Sequence, residues 1–142
     1  MSNQKLKSKA ETFLEQAFNQ KKTNALEDYF SPNLNDHALP PMLPSGFEGR
    51  KMFYTAFLSA FPDIHIQVEN LVTEDDRVVT HWSADGTHLG ELMGIPPTGK
   101  TAHISGIAID RFEDGKSVEH WEVFDQFGLM VQLGVIPAPG QG

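Results

Sequence analysis

Cysteine is missing from all 142 residues, so disulfides, thiolate nucleophiles and thiolate metal ligands are excluded together. Long apolar runs are missing too. Nothing approaches the roughly 18 to 20 residues a bilayer span needs, and the polar start "MSNQKLKSKAETF" has no apolar segment behind its lysines. The expectation is a cytoplasmic protein with no membrane partner. Cations are few: 11 Lys and Arg against 19 Asp and Glu leave a net charge of −8, and apart from Lys5, Lys7, Lys9 and the pair Lys21 and Lys22 they are scattered. Such a surface repels a phosphate backbone, so nucleic acid is not an expected partner. The six histidines include no His-x-His or His-x-x-x-His pair, so no metal site is expected. "GIPPTGK" is turn chemistry rather than a phosphate loop, because no helical pattern follows its lysine.

What remains is 39% hydrophobic and 10% aromatic, enough for one core and a single domain over residues 1–142. Helical signals fill the first half. Leu6, Ala10, Phe13, Leu14, Ala17 and Phe18 recur at three and four, which predicts a helix from about Gln4 to Asn19. "TNALEDYFSP" reads as a short second helix stopped by Ser31 and Pro32. A third starts at Ser45, whose spacing from Glu48 is that of a capping box, and runs to Pro62 with Met52, Phe53, Ala56, Phe57, Ala60 and Phe61.

Strand signals fill the second half, which makes the fold class α+β. Ile64, Ile66 and Val68 alternate with polar residues, and longer strands follow at about 77–88, 101–112 and 117–125. Asp114 and Gly115 form the strongest hairpin signal, since both central residues of a type I′ turn need positive φ. Carried along both strands, that turn places Ile104, Gly106, Ala108 and Asp110 beside Asp125, Val123, Trp121 and Glu119. The small residues among them assign this face to the concave side. With Trp82, Ala84 and His88 from the preceding strand, the predicted enclosure is lined by Trp82, Ala84, His88, Ile104, Ala108, Trp121, Val123 and Asp125: apolar with few polar groups, as small-molecule sites are. His65, His81, His103 and His120 fall on the outer face with Ile107, Ile109 and Phe124. That apolar outer set predicts a homodimer.

The segments "NDHALPP", "FYTAFLSAFPDI", "DRVVTHWSADGTHLGELMGIPPTGK" and "ISGIAIDRFEDGKSVEHWEVFDQFGLMVQLG" resemble the SnoaL-like polyketide (ester) cyclase family over nearly the whole chain. The combination of GTHxG, GIPPTG, DGK, EHW and a Trp four residues before an Asp is specific where no single piece would be. The resemblance implies an NTF2-like cone-shaped barrel, a curved, mostly antiparallel sheet with about three N-terminal helices closing its concave face. It also implies that a pocket aspartate acts as acid/base in an intramolecular aldol ring closure or a related isomerisation, without metal or cofactor. Asp125 is the best match. Members often carry an acid where Ala108 stands.

Three polar residues are the candidates for chemistry. A carboxylate at 125 inside an apolar cone would have a raised pKa and could move a proton between carbon and oxygen, although an Asp before "QFGLMVQLG" is also a natural N-cap. His88, bracketed by Gly86 and Gly90, could orient Asp125 or bind a carbonyl. His37 would stand near the mouth, with Trp82 and Trp121 as stacking walls and Ile104, Ala108 and Val123 as apolar lining. The expected ligand is an apolar carbonyl compound, polycyclic ones included. The alternative function is non-catalytic binding of a hydrophobic molecule.

Overall fold

The computed structural model describes residues 1–140. Helix α1 (Asn3–Leu14) begins under the Ser2 cap and continues into a π-helical turn at Glu15–Asn19, where one helix was expected throughout. Asn19 explains the widened turn. Its side-chain amide donates to the Ile66 carbonyl and accepts from the Ile66 N–H, so it bonds the edge of the sheet as a strand would. The second helical signal shrinks to α2 (Ala25–Tyr29), and Phe30–Asp36 becomes strand β1 instead. Nothing in "FSPNLND" alternates like a strand, and Pro32 is tolerated because β1 lies at a sheet edge. Helix α3 spans Gly46–Ala60; Ser45 is its N-cap residue but makes no side-chain cap bond, so the capping box does not form.

Strands β2 (His65–Glu74), β3 (Arg77–Thr87), β4 (Thr101–Glu113) and β5 (Lys116–Phe124) pair antiparallel, and β1 joins β5 in parallel, giving the order β1-β5-β4-β3-β2. The five-stranded sheet is curved but not closed into a barrel, with β1 and β2 as its edges. The helices lie over the concave face. Two buried clusters hold them there: Phe57, Phe61, Ile66, Trp82, Ile104 and Leu129 form part of one, and Leu6, Leu26, Tyr29, Phe30, Val78 and Phe112 part of the other. Phe13, Phe18 and Leu58 touch both clusters and bridge them. Among the described residues no helix is long and apolar enough to cross a membrane.

The hairpin between β4 and β5 turns where expected and then departs from the expected register. Asp114 and Gly115 take φ of 51° and 81°, Glu113 pairs with Lys116, and Phe112 pairs with Ser117. The next partner of Arg111 is Glu119, which leaves Val118 unpaired in a β-bulge. Because side chains alternate with a period of two, that one residue turns the rest of β5 over. His120, Glu122 and Phe124 point into the cone; Glu119, Trp121 and Val123 point out.

Candidate active site

The concave face closes around a hollow with about 90 Å³ open to water-sized molecules, room for several waters, lined by side chains from α1, α2, α3 and all the central strands. Most of its wall is apolar, supplied by Phe13, Phe18, Phe53, Phe57, Ile66 and Trp82 among others. The polar groups are gathered at one end, where β4 and β5 face α2 and α3.

At that end one histidine joins two carboxylates. His120 Nδ1 bonds Asp110 Oδ1 at 2.7 Å and Nε2 bonds Glu122 Oε1 at 3.0 Å. Both ring nitrogens can donate to carboxylates only if the imidazole is protonated. Burial alone would push the His120 pKa down, but the Asp110 charge and the hydrogen bonds to Asp110 and Glu122 outweigh it and raise the pKa to about 10. Asp110 is fully engaged: Tyr29 Oη donates to Oδ2 at 3.1 Å and Ser117 Oγ to Oδ1 at 2.7 Å. Burial, reinforced by the Asp110 charge, raises the Tyr29 pKa well above its ordinary value.

Glu122 occupies the opposite side of His120. Trp82 Nε1 donates to its Oε2 at 2.9 Å, and Arg50 Nη1 stands 3.6 Å from Oε1. Burial pushes the Glu122 pKa up, but the bond from His120, the His120 and Arg50 charges and the Trp82 donor hold it below the ordinary glutamate value. Arg50 is clamped in turn by Asp36, Nε to Oδ2 at 2.6 Å and Nη2 to Oδ1 at 3.1 Å. Asp36 also caps the turn at Ala38. Against burial, the Arg50 bond and charge hold the Asp36 pKa low. The three acids differ in access: the side chain of Glu122 is 19% exposed, that of Asp110 3% and that of Asp36 0%.

Four of the expected lining residues, Trp82, Ala84, Ile104 and Ala108, do line the hollow. The others do not. Asp125 is exposed and accepts from the Gly128 N–H at 2.9 Å as the N-cap of α4 (Gln126–Gln132), so the capping alternative holds and no dry pocket surrounds it. His88 is fully buried but away from the hollow. Its Nδ1 accepts from the Thr98 N–H at 3.2 Å, which places the proton on Nε2, where it finds no partner among the described residues; the ring lies against Phe61 and anchors the 88–100 connection. His37 stacks on Trp121 at 4.9 Å on the outer face and bonds Glu119 Oε2 at 2.7 Å. Val123 is 74% exposed. The bulge moved Trp121, Val123 and Asp125 outward together and brought His120 and Phe124 inward. The outer face keeps His65, His81, His103 and Ile107 as expected and gains Val123 and Trp121 where Phe124 was placed.

Sequence reasoning missed Tyr29, Asp36 and Arg50 as site residues, and had Asp110 inward without a role. Arg50 carried a usable signal: it sits on the apolar stripe of α3 with Phe53 and Phe57, a place where an unpaired charge would be costly. Glu122 and His120 carried none, since alternation in β5 fits either face.

A model of the SnoaL-like polyketide cyclase family matches residues 8–133. Among solved structures, TsrD from Streptomyces laurentii is similar at 27% identity over 96% of this chain and 99% of that one, with a TM-score of 0.87. AclR from Streptomyces galilaeus, described as a putative hydroxylase, is similar at 30% identity over 96% and 85%, with a TM-score of 0.85. IdmH from Streptomyces antibioticus, described as a putative polyketide cyclase, is similar at 32% identity over 87% and 94%, with a TM-score of 0.74. No curated protein matches the sequence.

Proposed function

The chain belongs to the SnoaL-like polyketide cyclase family, and from that premise we propose that it is an acid/base enzyme closing a ring within an apolar carbonyl substrate, with Glu122 as the proton-transfer group. One observation carries the assignment: of the acids gathered at the polar end of the hollow, Glu122 is the one with an accessible side chain. Its carboxylate removes a proton from a carbon flanked by two carbonyls. The resulting enolate carbon attacks a second carbonyl of the same molecule, the new carbon–carbon bond forms, and the alkoxide takes the proton back from Glu122. The step is an isomerisation and consumes nothing. The Arg50 guanidinium stands beside Glu122 and favours negative charge developing on substrate oxygen. His120 and Trp82 aim the carboxylate, and Asp110 holds His120 in place.

The depressed pKa of Glu122 limits the chemistry. A weak base serves only where the C–H is already acidic, as between two carbonyls. The same feature supports a second reading, a non-catalytic binder of hydrophobic molecules, because His120 and Trp82 already occupy one oxygen each. Glu122→Gln separates the two. It keeps the shape and the Trp82 acceptor, so on a turning-over β-dicarbonyl substrate kcat should fall at least about a hundredfold with KM little changed. Unchanged kcat removes Glu122 from the reaction.

A further inference from the structure

Resting on the reading of this hollow as a substrate site, we infer that Thr80 anchors the ligand: its hydroxyl, in the cavity floor, bonds an oxygen of a small cyclic ketone or enol whose other end faces Glu122. Thr80 lies on the inner face of β3 between Val78 and Trp82, is 4% exposed and lines the hollow. Its hydroxyl makes no hydrogen bond to another described residue. Among the other polar groups of the lining, Tyr29 is taken by Asp110, Tyr54 by the Ala17 carbonyl, Trp82 by Glu122 and the Asp110–His120–Glu122 chain by its own members, while Arg50 is clamped by Asp36 at the Glu122 end. A hydroxyl without a protein partner, on a residue that lines an open hollow, is matched to water or to a ligand oxygen.

Register adds the second half. Thr80 pairs with Ala108, and Ala108 pairs with Glu122, so the three form one row across β3, β4 and β5. At about 4.8 Å between neighbouring strands, the outer two backbones stand about 10 Å apart. The short Ala108 side chain leaves the space between them open. A flat ring lying over Ala108, with the aromatic wall around it, therefore reaches the Thr80 hydroxyl at one edge and the Glu122 carboxylate at the other. A hydroxyl both donates and accepts, so it suits a carbonyl or an enol, and a hydrocarbon of the same shape gains nothing from it.

The test compares 1-indanone with indane by NMR titration of the whole protein, in the natural sequence and in Thr80→Val, Thr80→Ser and Glu122→Gln. The natural protein should bind the ketone about two- to tenfold more tightly than the hydrocarbon, the worth of one neutral hydrogen bond. Thr80→Val should lose that preference, bind indane as before and melt no lower, because the hydroxyl it removes has no protein partner. Thr80→Ser should restore the preference and Glu122→Gln should leave it intact. Thr80→Val binding the ketone like the natural protein overturns the inference and leaves the site reading standing; so does Thr80→Val losing both ligands together with a lower Tm, which marks a packing role. Failure of the natural protein to bind either molecule overturns the site reading and the inference with it.

Discussion

Replacing His120 with Gln tests the central arrangement, because it removes the cation and keeps a side chain of similar length between Asp110 and Glu122. In the natural protein His120 keeps its proton to about pH 10, whereas in the unfolded chain it loses it near 6.5. The folded state therefore binds more protons than the unfolded state between these values. Its raised pKa contributes stability that is fully present below pH 6.5 and is lost as pH rises through about 10, falling by about 1.4 kcal/mol per pH unit in between. The whole span is worth about 5 kcal/mol. Spread over 142 residues, whose unfolding entropy makes 1 kcal/mol equal to about 3 or 4 °C, the two units from pH 7.5 to 9.5 should lower Tm by about 9 °C. His120→Gln should lose about 3 to 5 kcal/mol at pH 7, since it leaves two buried carboxylates without their cation. It should also show no such decline between pH 7.5 and 9.5, and gain stability on mild acidification as one acid takes up a proton. Urea unfolding followed by tryptophan fluorescence at several pH values measures both. A natural protein whose stability is level from pH 7.5 to 9.5, or a variant that keeps the natural decline, would refute the assignment of a charged His120.

Asp125→Ala should lose about 1 kcal/mol through the missing cap of α4, with indanone affinity unchanged; a collapse of ligand binding would return that residue to the site. Gly106→Ala should cost about 1 to 3 kcal/mol and shift the Trp82 fluorescence, because an added Cβ would stand 2.5 Å from Trp82 Cζ2 and 2.8 Å from Phe124 Cβ; normal emission and stability would mean that the Trp82 ring is not held there. The outer sheet face, with Ile107 and Val123 exposed beside Ile109 and Trp121, should pair two copies of the chain, so light scattering at micromolar concentration should give a dimer that Val123→Lys dissociates. A monomeric natural protein would contradict that.

Much of the architecture is local physics and could be read directly. Helical stripes at three and four, the Asp114 and Gly115 turn, and alternation in β2, β3 and β4 are each set by a few neighbouring residues, and the structure places α1, α3 and four of the strands accordingly. The inward set of β3 and β4 was legible for the same reason: Trp82 and Ala84, with Ile104 and Ala108, have no other face on which to be buried. β1 was not legible, because an edge strand next to β5 draws its pairing from a distant segment and "FSPNLND" has no alternating pattern of its own.

The site depended on what no local pattern specifies. In β5 the residues 119–124 put a mixture of polar and apolar side chains on both faces, so sequence alone allows either Asp125 or Glu122 to point inward. Hydrogen bonding across the fold settles the choice. Ser117 and His120 both reach Asp110 only if Val118 bulges out of the ladder, and Glu122, two residues from His120, turns inward with it. A buried carboxylate is tolerated when donors from other strands and helices surround it, and those donors, from Tyr29 on α2 to Arg50 on α3, converge only in three dimensions. Composition and periodicity thus determined the class of fold and its apolar hollow; tertiary contacts decided which acids the hollow contains.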